Sequence, residues 1–264
     1  MRVDGIKVVL VGFLLASMLG GCATTNNKDP LEGLNRGIYK FNDTVDKAAV
    51  KPIAGAYKAV LPGPIRTGVN NFFTNLGTVV TMINNLLQFK FDAAMTDAGR
   101  FVINSTVGIG GLFDVASMDS VPQHNEDFGQ TMAYWGWENS TYLVLPFLGP
   151  STLRDTGGLI VDSAFFDPIY YVDDVRGRNQ LLLTKFIDKR STFLPASDLV
   201  DEAALDPYAF MRDAYLQRRS HQVHDGNGPQ NNPAEDDDFY SLDEESSAAE
   251  AQSQQAEAQL AEAQ

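Results

Sequence analysis

Residues 67–89 form a run of 23 without a single charged side chain, and five of them are asparagine. Length alone would let such a segment cross a bilayer, for which about 20 apolar residues suffice. The amides of Asn70, Asn71, Asn75, Asn84 and Asn85 oppose that reading, because an unpartnered amide in hydrocarbon is costly. A simple lipid-exposed span is therefore disfavoured, and two alternatives stay open. One is an ordinary core helix, built on Val69, Phe72, Phe73, Leu76, Val79, Val80, Ile83, Leu86 and Leu87. The other is a helix lying within one membrane leaflet, its uncharged polar face turned inward. Charge-free stretches recur at residues 101–113 and 139–153, and Tyr134, Trp135, Trp137 and Tyr142 gather around the interval between them. Water-facing helices usually carry Lys and Glu, so this pattern suits an interfacial body with aromatic anchors as well as a packed core.

The amino terminus reads as a bacterial lipoprotein signal. Arg2 and Lys7 supply a positive start, residues 8–19 carry no charge, and Gly20 and Gly21 precede Cys22, the only cysteine. Twelve residues of helix span roughly 18 Å against a hydrocarbon core of roughly 30 Å, too short for a permanent anchor. Cleavage is expected before Cys22, whose thiol has no disulfide partner and stands where lipoproteins carry acyl chains. Several such chains hold a domain on a bilayer without a spanning helix. Ala23 follows the cysteine, as in lipoproteins sorted to the outer membrane, and residues 22–28 form a polar tether.

The formal charge of −14 is unevenly spread. Residues 220–264 hold eleven acids and no Lys or Arg, which leaves residues 1–219 at only −3. That tail, with Asp236, Asp237 and Asp238 in a row and an Ala/Gln/Glu-rich end, is too polar to bury a core and is expected to be disordered. No basic stripe is present, which removes nucleic-acid binding.

Between tether and tail the chain reads as helices punctuated by Pro and Gly. Leu31, Leu34, Ile38, Phe41 and Val45 recur at helical spacing, a stripe that Pro52 should close. A second helix stops before Pro62, and residues 92–105 form a further amphipathic helix. Then Gly108, Ile109, Gly110, Gly111, Leu112 and Phe113 make an apolar glycine-rich loop that either bends tightly beside a ligand or packs under neighbouring helices. It lacks the Lys-Ser or Lys-Thr of a phosphate loop.

Catalytic chemistry finds little support. No Gly-x-Ser-x-Gly elbow or His-Glu-x-x-His motif occurs. His221 and His224 have metal-like spacing but no further ligands, so no metal site is expected. His124, beside Glu126 and Asp127, and Ser151, after Pro150, are the remaining acid/base and nucleophile candidates, and nothing in the sequence connects them. No catalytic residue and no cofactor is expected.

A family resemblance runs along the same residues. Asp29-Pro30-Leu31-Glu32 with Asn35-Arg36 and Tyr39-Lys40-Phe41-Asn42, then residues 100–114, Phe128-Gly129-Gln130-Thr131, residues 145–155, Asp206-Pro207-Tyr208 and residues 215–219 resemble the MlaA (VacJ) lipoprotein family. The resemblance implies an all-α fold: one ring-like helical domain, residues 29–219, set into or on one leaflet of the outer membrane and enclosing an amphipathic channel. It implies a function as well, the removal of stray phospholipid from the outer leaflet and its transfer to a periplasmic carrier, with a trimeric porin as a further partner. The alternatives from other classes are a structural tether of the envelope and a lipid-active hydrolase.

A phospholipid headgroup crosses hydrocarbon slowly because its charges would be unpaired there. Uncharged amides and hydroxyls on residues 67–89, Asn75 among them, together with the loop from Gly108 to Phe113, are candidates for a polar lane. Phe41 and Asn42 match a segment that the family places near its lipid path, while a core Phe and a helix-surface Asn describe them equally well. Arg154 and Asp155 are read as structural, capping and ion-pairing the turn at Leu153.

Overall fold

The structure, a computed structural model, describes residues 29–226. The signal segment 1–21, Cys22 with its tether to residue 28, and residues 227–264 lie outside the described residues. Residues up to Arg219 form one compact unit, and a second begins at Ser220.

The fold is all-α. Helix α1 (Glu32–Val45) does not end at Pro52. It continues through a π turn (Asp46–Val50) into α2 (Lys51–Val60). A proline inside a helix lacks an N–H and crowds the carbonyl four residues back. Here the Lys51 N–H reaches back to Asp46 O, and the widened turn leaves Pro52 in the first turn of α2. Helix α2 stops as expected, with Leu61 in the extended conformation favoured before proline.

Helix α3 (Gly63–Leu87) starts ahead of the charge-free run, with Pro64 in its first turn. A tight turn through Phe89, at φ 60°, leads into α4 (Phe91–Thr106). The two are antiparallel: Asn85 meets Asp97 near the turn and Asn75 meets Ser105 farther along. After α5 (Val115–Met118) and α6 (Phe128–Tyr134), the charge-free stretch at residues 139–153 folds as a hairpin, β1 (Tyr142–Leu145) with β2 (Gly149–Thr152). Its pairing runs from Tyr142 with Thr152 to Leu145 with Gly149. Helix α7 (Leu153–Val161), a π turn (Asp162–Phe166), a 3-10 turn (Pro168–Tyr171), α8 (Val175–Ala203) and α9 (Pro207–Val223) complete the order. Helix α9 continues past Ser220, so the start of the expected tail is helical through Val223. Asp114, Asp127, Thr152 and Asp174 cap α5, α6, α7 and α8, each side chain accepting from an N–H of the first turn.

The partition of side chains is inverted relative to an ordinary water-soluble domain. Asn35, Asn84, Asn85, Asp97, Arg100, Thr131 and Arg154 are buried, while Phe89, Met95, Val107, Ile109 and Phe147 stand exposed. Helix α4 shows this within one element: Ala94, Asp97, Arg100 and Asn104 face inward, and Phe91, Met95 and Val102 face outward. A compact apolar cluster forms where Tyr142, Val144 and Tyr208 pack with Ile38, Tyr39, Tyr215 and Leu216. Among the described residues, no helix is long and apolar enough to cross a membrane.

Candidate functional site

The amide-rich face of α3 faces polar groups of its own fold. Asn85 Nδ2 donates to Asp97 Oδ2 at 2.8 Å, and Asn84 Nδ2 donates to Asp162 Oδ1 at 3.0 Å while its Oδ1 accepts from Thr131 Oγ1 at 2.7 Å. Gln88 donates to Glu126 and to Thr131. Asp162 also accepts from the Phe128 N–H, and burial pushes its pKa up to about 6 against the pull of these hydrogen bonds. One carboxylate thereby ties α3 to the start of α6.

Asn75 and the glycine loop meet. Asn75 is buried, its Nδ2 donating to Ser105 Oγ at 2.9 Å, while its Oδ1 has no partner among the described residues. Gly111 lies directly against it: a Cβ there would come within 2.7 Å of Asn75 Nδ2. The loop also leans on α3 through Asn71 Nδ2, which donates to Leu112 O at 3.2 Å. Ile109, Gly110 and Gly111 all have positive φ, and the N–H groups of Gly110 and Gly111 return to Ser105 O and Asn104 O, closing the end of α4. The loop thus turns tightly and packs on a helix, yet leaves Ile109, Leu112 and Phe113 exposed.

Asn42 clips the turn of the hairpin. Its Nδ2 donates to Leu145 O and its Oδ1 accepts from the Phe147 N–H, both at 2.8 Å. Phe41, exposed, meets the Phe147 ring edge-on at 5.4 Å. These two residues and the Asn75–Gly111 contact occupy different parts of the fold, the first on α1 and the hairpin, the second on α3 and α4.

Arg154 and Asp155 are interior. Arg154 donates to Asp155 Oδ1, Trp137 O and Glu138 O. Asp155 also accepts from Tyr215 OH at 2.8 Å and from Arg219 at 2.8 Å. Burial works against the Asp155 charge, but Arg219 and Arg154 outweigh it and hold the carboxyl below its ordinary range.

His124 pairs with a carboxylate of α4. Its Nδ1 lies 2.9 Å from Oδ1 of buried Asp97. Ser151 Oγ bonds Thr152 O and Thr156 Oγ1, apart from any histidine. His224 Nδ1 lies 2.8 Å from Ser220 O, and no group of His, Cys, Asp and Glu able to hold a metal occurs among the described residues.

The sequence reading missed Asp97, Arg100 and Asp114. Arg100 donates to both oxygens of Asp114 and to Ser117 Oγ, and Asn104 donates to the same carboxylate. The signal was present: positions 94, 97, 100 and 104 share one helical face, and on α4 that face carries Asp97 and Arg100.

Comparison with known proteins covers almost all of the described residues. The family profile described as MlaA lipoprotein matches residues 27–222. The intermembrane phospholipid transport system lipoprotein MlaA of Escherichia coli (strain K12) is 34% identical over 242 residues, spanning 87% of this chain and 95% of that protein. The protein of the same description from Haemophilus influenzae is 32% identical, over 83% and 92% of the two chains. An uncharacterized protein of Rickettsia felis is 36% identical over 196 residues, 74% of this chain and 78% of its own. A solved chain from work on the structural basis for maintenance of bacterial outer membrane lipid asymmetry superposes with a TM-score of 0.65 at 32% identity, covering 74% of this chain and 98% of that one. By profile, by sequence identity and by fold, the chain belongs to the MlaA lipoprotein family.

Proposed function

We propose that this protein is a lipid-anchored component of the outer membrane that takes misplaced phospholipid out of the outer leaflet through an amphipathic passage and hands it to a periplasmic carrier. The observation that carries this reading is the inverted partition of side chains. Each Å² of apolar surface left in water forgoes about 25 cal/mol, so bulky residues such as Phe89, Met95 and Val102 stay outside a fold at little cost only where their surroundings are hydrocarbon or protein. Polar groups held inside such a body give a charged headgroup partners it lacks in the bilayer. The names of the Escherichia coli and Haemophilus influenzae relatives, similar over most of their length, support the same role here.

In this reading acyl chains on Cys22 hold the domain on the periplasmic side of the outer membrane, and a trimeric porin surrounds part of its apolar exterior. Phe41, Asn42, Asn75 and the loop from Gly108 to Phe113 are the residues proposed to border the lipid path. The protein moves lipid rather than acting on it as an enzyme. Deletion of the gene followed by chemical labelling of phospholipid at the cell surface tests the proposal. Labelling should rise and return to normal with the wild-type gene, and unchanged labelling overturns the reading.

A further inference from the structure

An open groove of about 500 Å³ runs between α1 and the hairpin turn. Gly33, Leu34, Gly37, Ile38 and Phe41 line it from α1, and Pro146 with Phe147 from the hairpin turn. The two glycines lie inside a regular helix, where glycine is unfavourable relative to alanine. Nothing in the fold requires them: neither has a positive φ, and a Cβ on either would find no atom within 4 Å. What their absent side chains preserve is the open space above α1.

The hairpin side is held against strain. Phe147 sits at φ 63°, a conformation rare for a bulky residue, and is 61% exposed. The Asn42 clip fixes that turn, and the Phe41 and Phe147 rings meet at 80°.

Charge along the helix that lines the groove is also uneven. Along α1 and its continuation, Arg36 pairs with Glu32 and Asp206, Lys47 with Asp43 and Asp201, and Lys51 with Asp198 and Asp201. Lys40, exposed and one helical turn beyond Gly37, has no acidic partner among the described residues. An apolar slot with an unpaired cation next to its lining residue Phe41 is complementary to an amphiphile with a hydrocarbon tail and an anionic head.

We propose that this groove is a lipid subsite, seating one acyl chain of a phospholipid over Gly33 and Gly37 with its phosphate at Lys40. The proposal rests on the lipid-transport reading above and adds to it a defined resting place.

The test uses the full-length acylated protein in vesicles of phosphatidylethanolamine containing phosphatidylglycerol with a photoactivatable diazirine on one acyl chain. After irradiation, mass spectrometry should place adducts on residues 33–41 and 146–147. Gly37→Leu, which fills the slot while favouring the helix, should reduce those adducts severalfold with an unchanged circular dichroism spectrum. Lys40→Glu should lower them severalfold, and Lys40→Arg should restore them. Adducts undiminished by Gly37→Leu overturn the subsite. So do adducts confined to residues 108–113. Because the gene-deletion test does not depend on α1, failure of the subsite and failure of the transport reading give separate results.

Discussion

Arg219, on the last helix, donates through Nη2 to Asp155 Oδ1 at 2.8 Å, and both side chains are withdrawn from water. The same guanidinium grips both oxygens of Asp127 at 2.6 and 2.7 Å. Burial disfavours the Arg219 charge, but these carboxylates outweigh it and hold its pKa above the ordinary value. The contact joins the cap of α6 and the first turn of α7 to α9, so three elements depend on it.

Arg219→Leu should therefore be strongly destabilising. Removing one member of a buried ion pair leaves uncompensated charge, with a cost of about 3 kcal/mol or more. Chemical denaturation of the purified variant reads this directly, and Arg219→Lys should recover only part of it, because a single ammonium cannot reach both carboxylates with a planar fork.

Gly108 is required for close approach. A Cβ there would lie 2.2 Å from Phe113 O and 2.4 Å from Asn104 O, both backbone atoms that cannot swing aside. Gly108→Ala should cost about 2–3 kcal/mol by forcing the loop off α4. A thermal-unfolding midpoint equal to that of the unaltered protein would contradict this account of the loop.

The loop tip separates stability from function. Ile109 is 65% exposed and Leu112 is also exposed, so Ile109→Lys or Leu112→Lys should change folding stability by only about 0.5 kcal/mol. Either should nonetheless raise surface-exposed phospholipid in cells. Normal outer-leaflet lipid content at normal protein levels would remove the loop from the lipid path.

Asp162 gives a pH dependence of defined sign. Its carboxyl, raised to about 6 in the folded chain from 3.8 in the unfolded one, binds its proton more tightly when folded. The stabilisation is therefore fully present below pH 3.8 and is lost as pH rises through about 6, by up to about 3 kcal/mol. Asp162→Asn removes this titration. The stability of the unaltered protein minus that of the variant should fall between pH 4 and pH 7, and a flat difference would refute the assignment.

Much of the architecture is legible in the chain read alone. The helical stripe beginning at Leu31, the stop before Pro62, the charge-free run that becomes α3 and the tight turn at Gly108–Gly111 all follow from local periodicity and from the backbone limits of Pro and Gly. The resemblance at residues 100–114 and 145–155 identified the family without coordinates. Local rules failed at Pro52, where a π turn absorbs the proline, and at residues 139–153, where an apolar run too short for periodicity to decide pairs with itself as a hairpin.

Which side of each helix is the inside was settled only in three dimensions. Periodicity shows that the two faces of α4 differ, but it is blind to which one meets the interior. That choice depends on partners distant in sequence: Asn85 and His124 for Asp97, Asp114 for Arg100, Asp127 and Asp155 for Arg219. Once these groups satisfy one another their burial is no longer penalised, and the opposite face of α4, with Phe91, Met95 and Val102, is the one left at the surface.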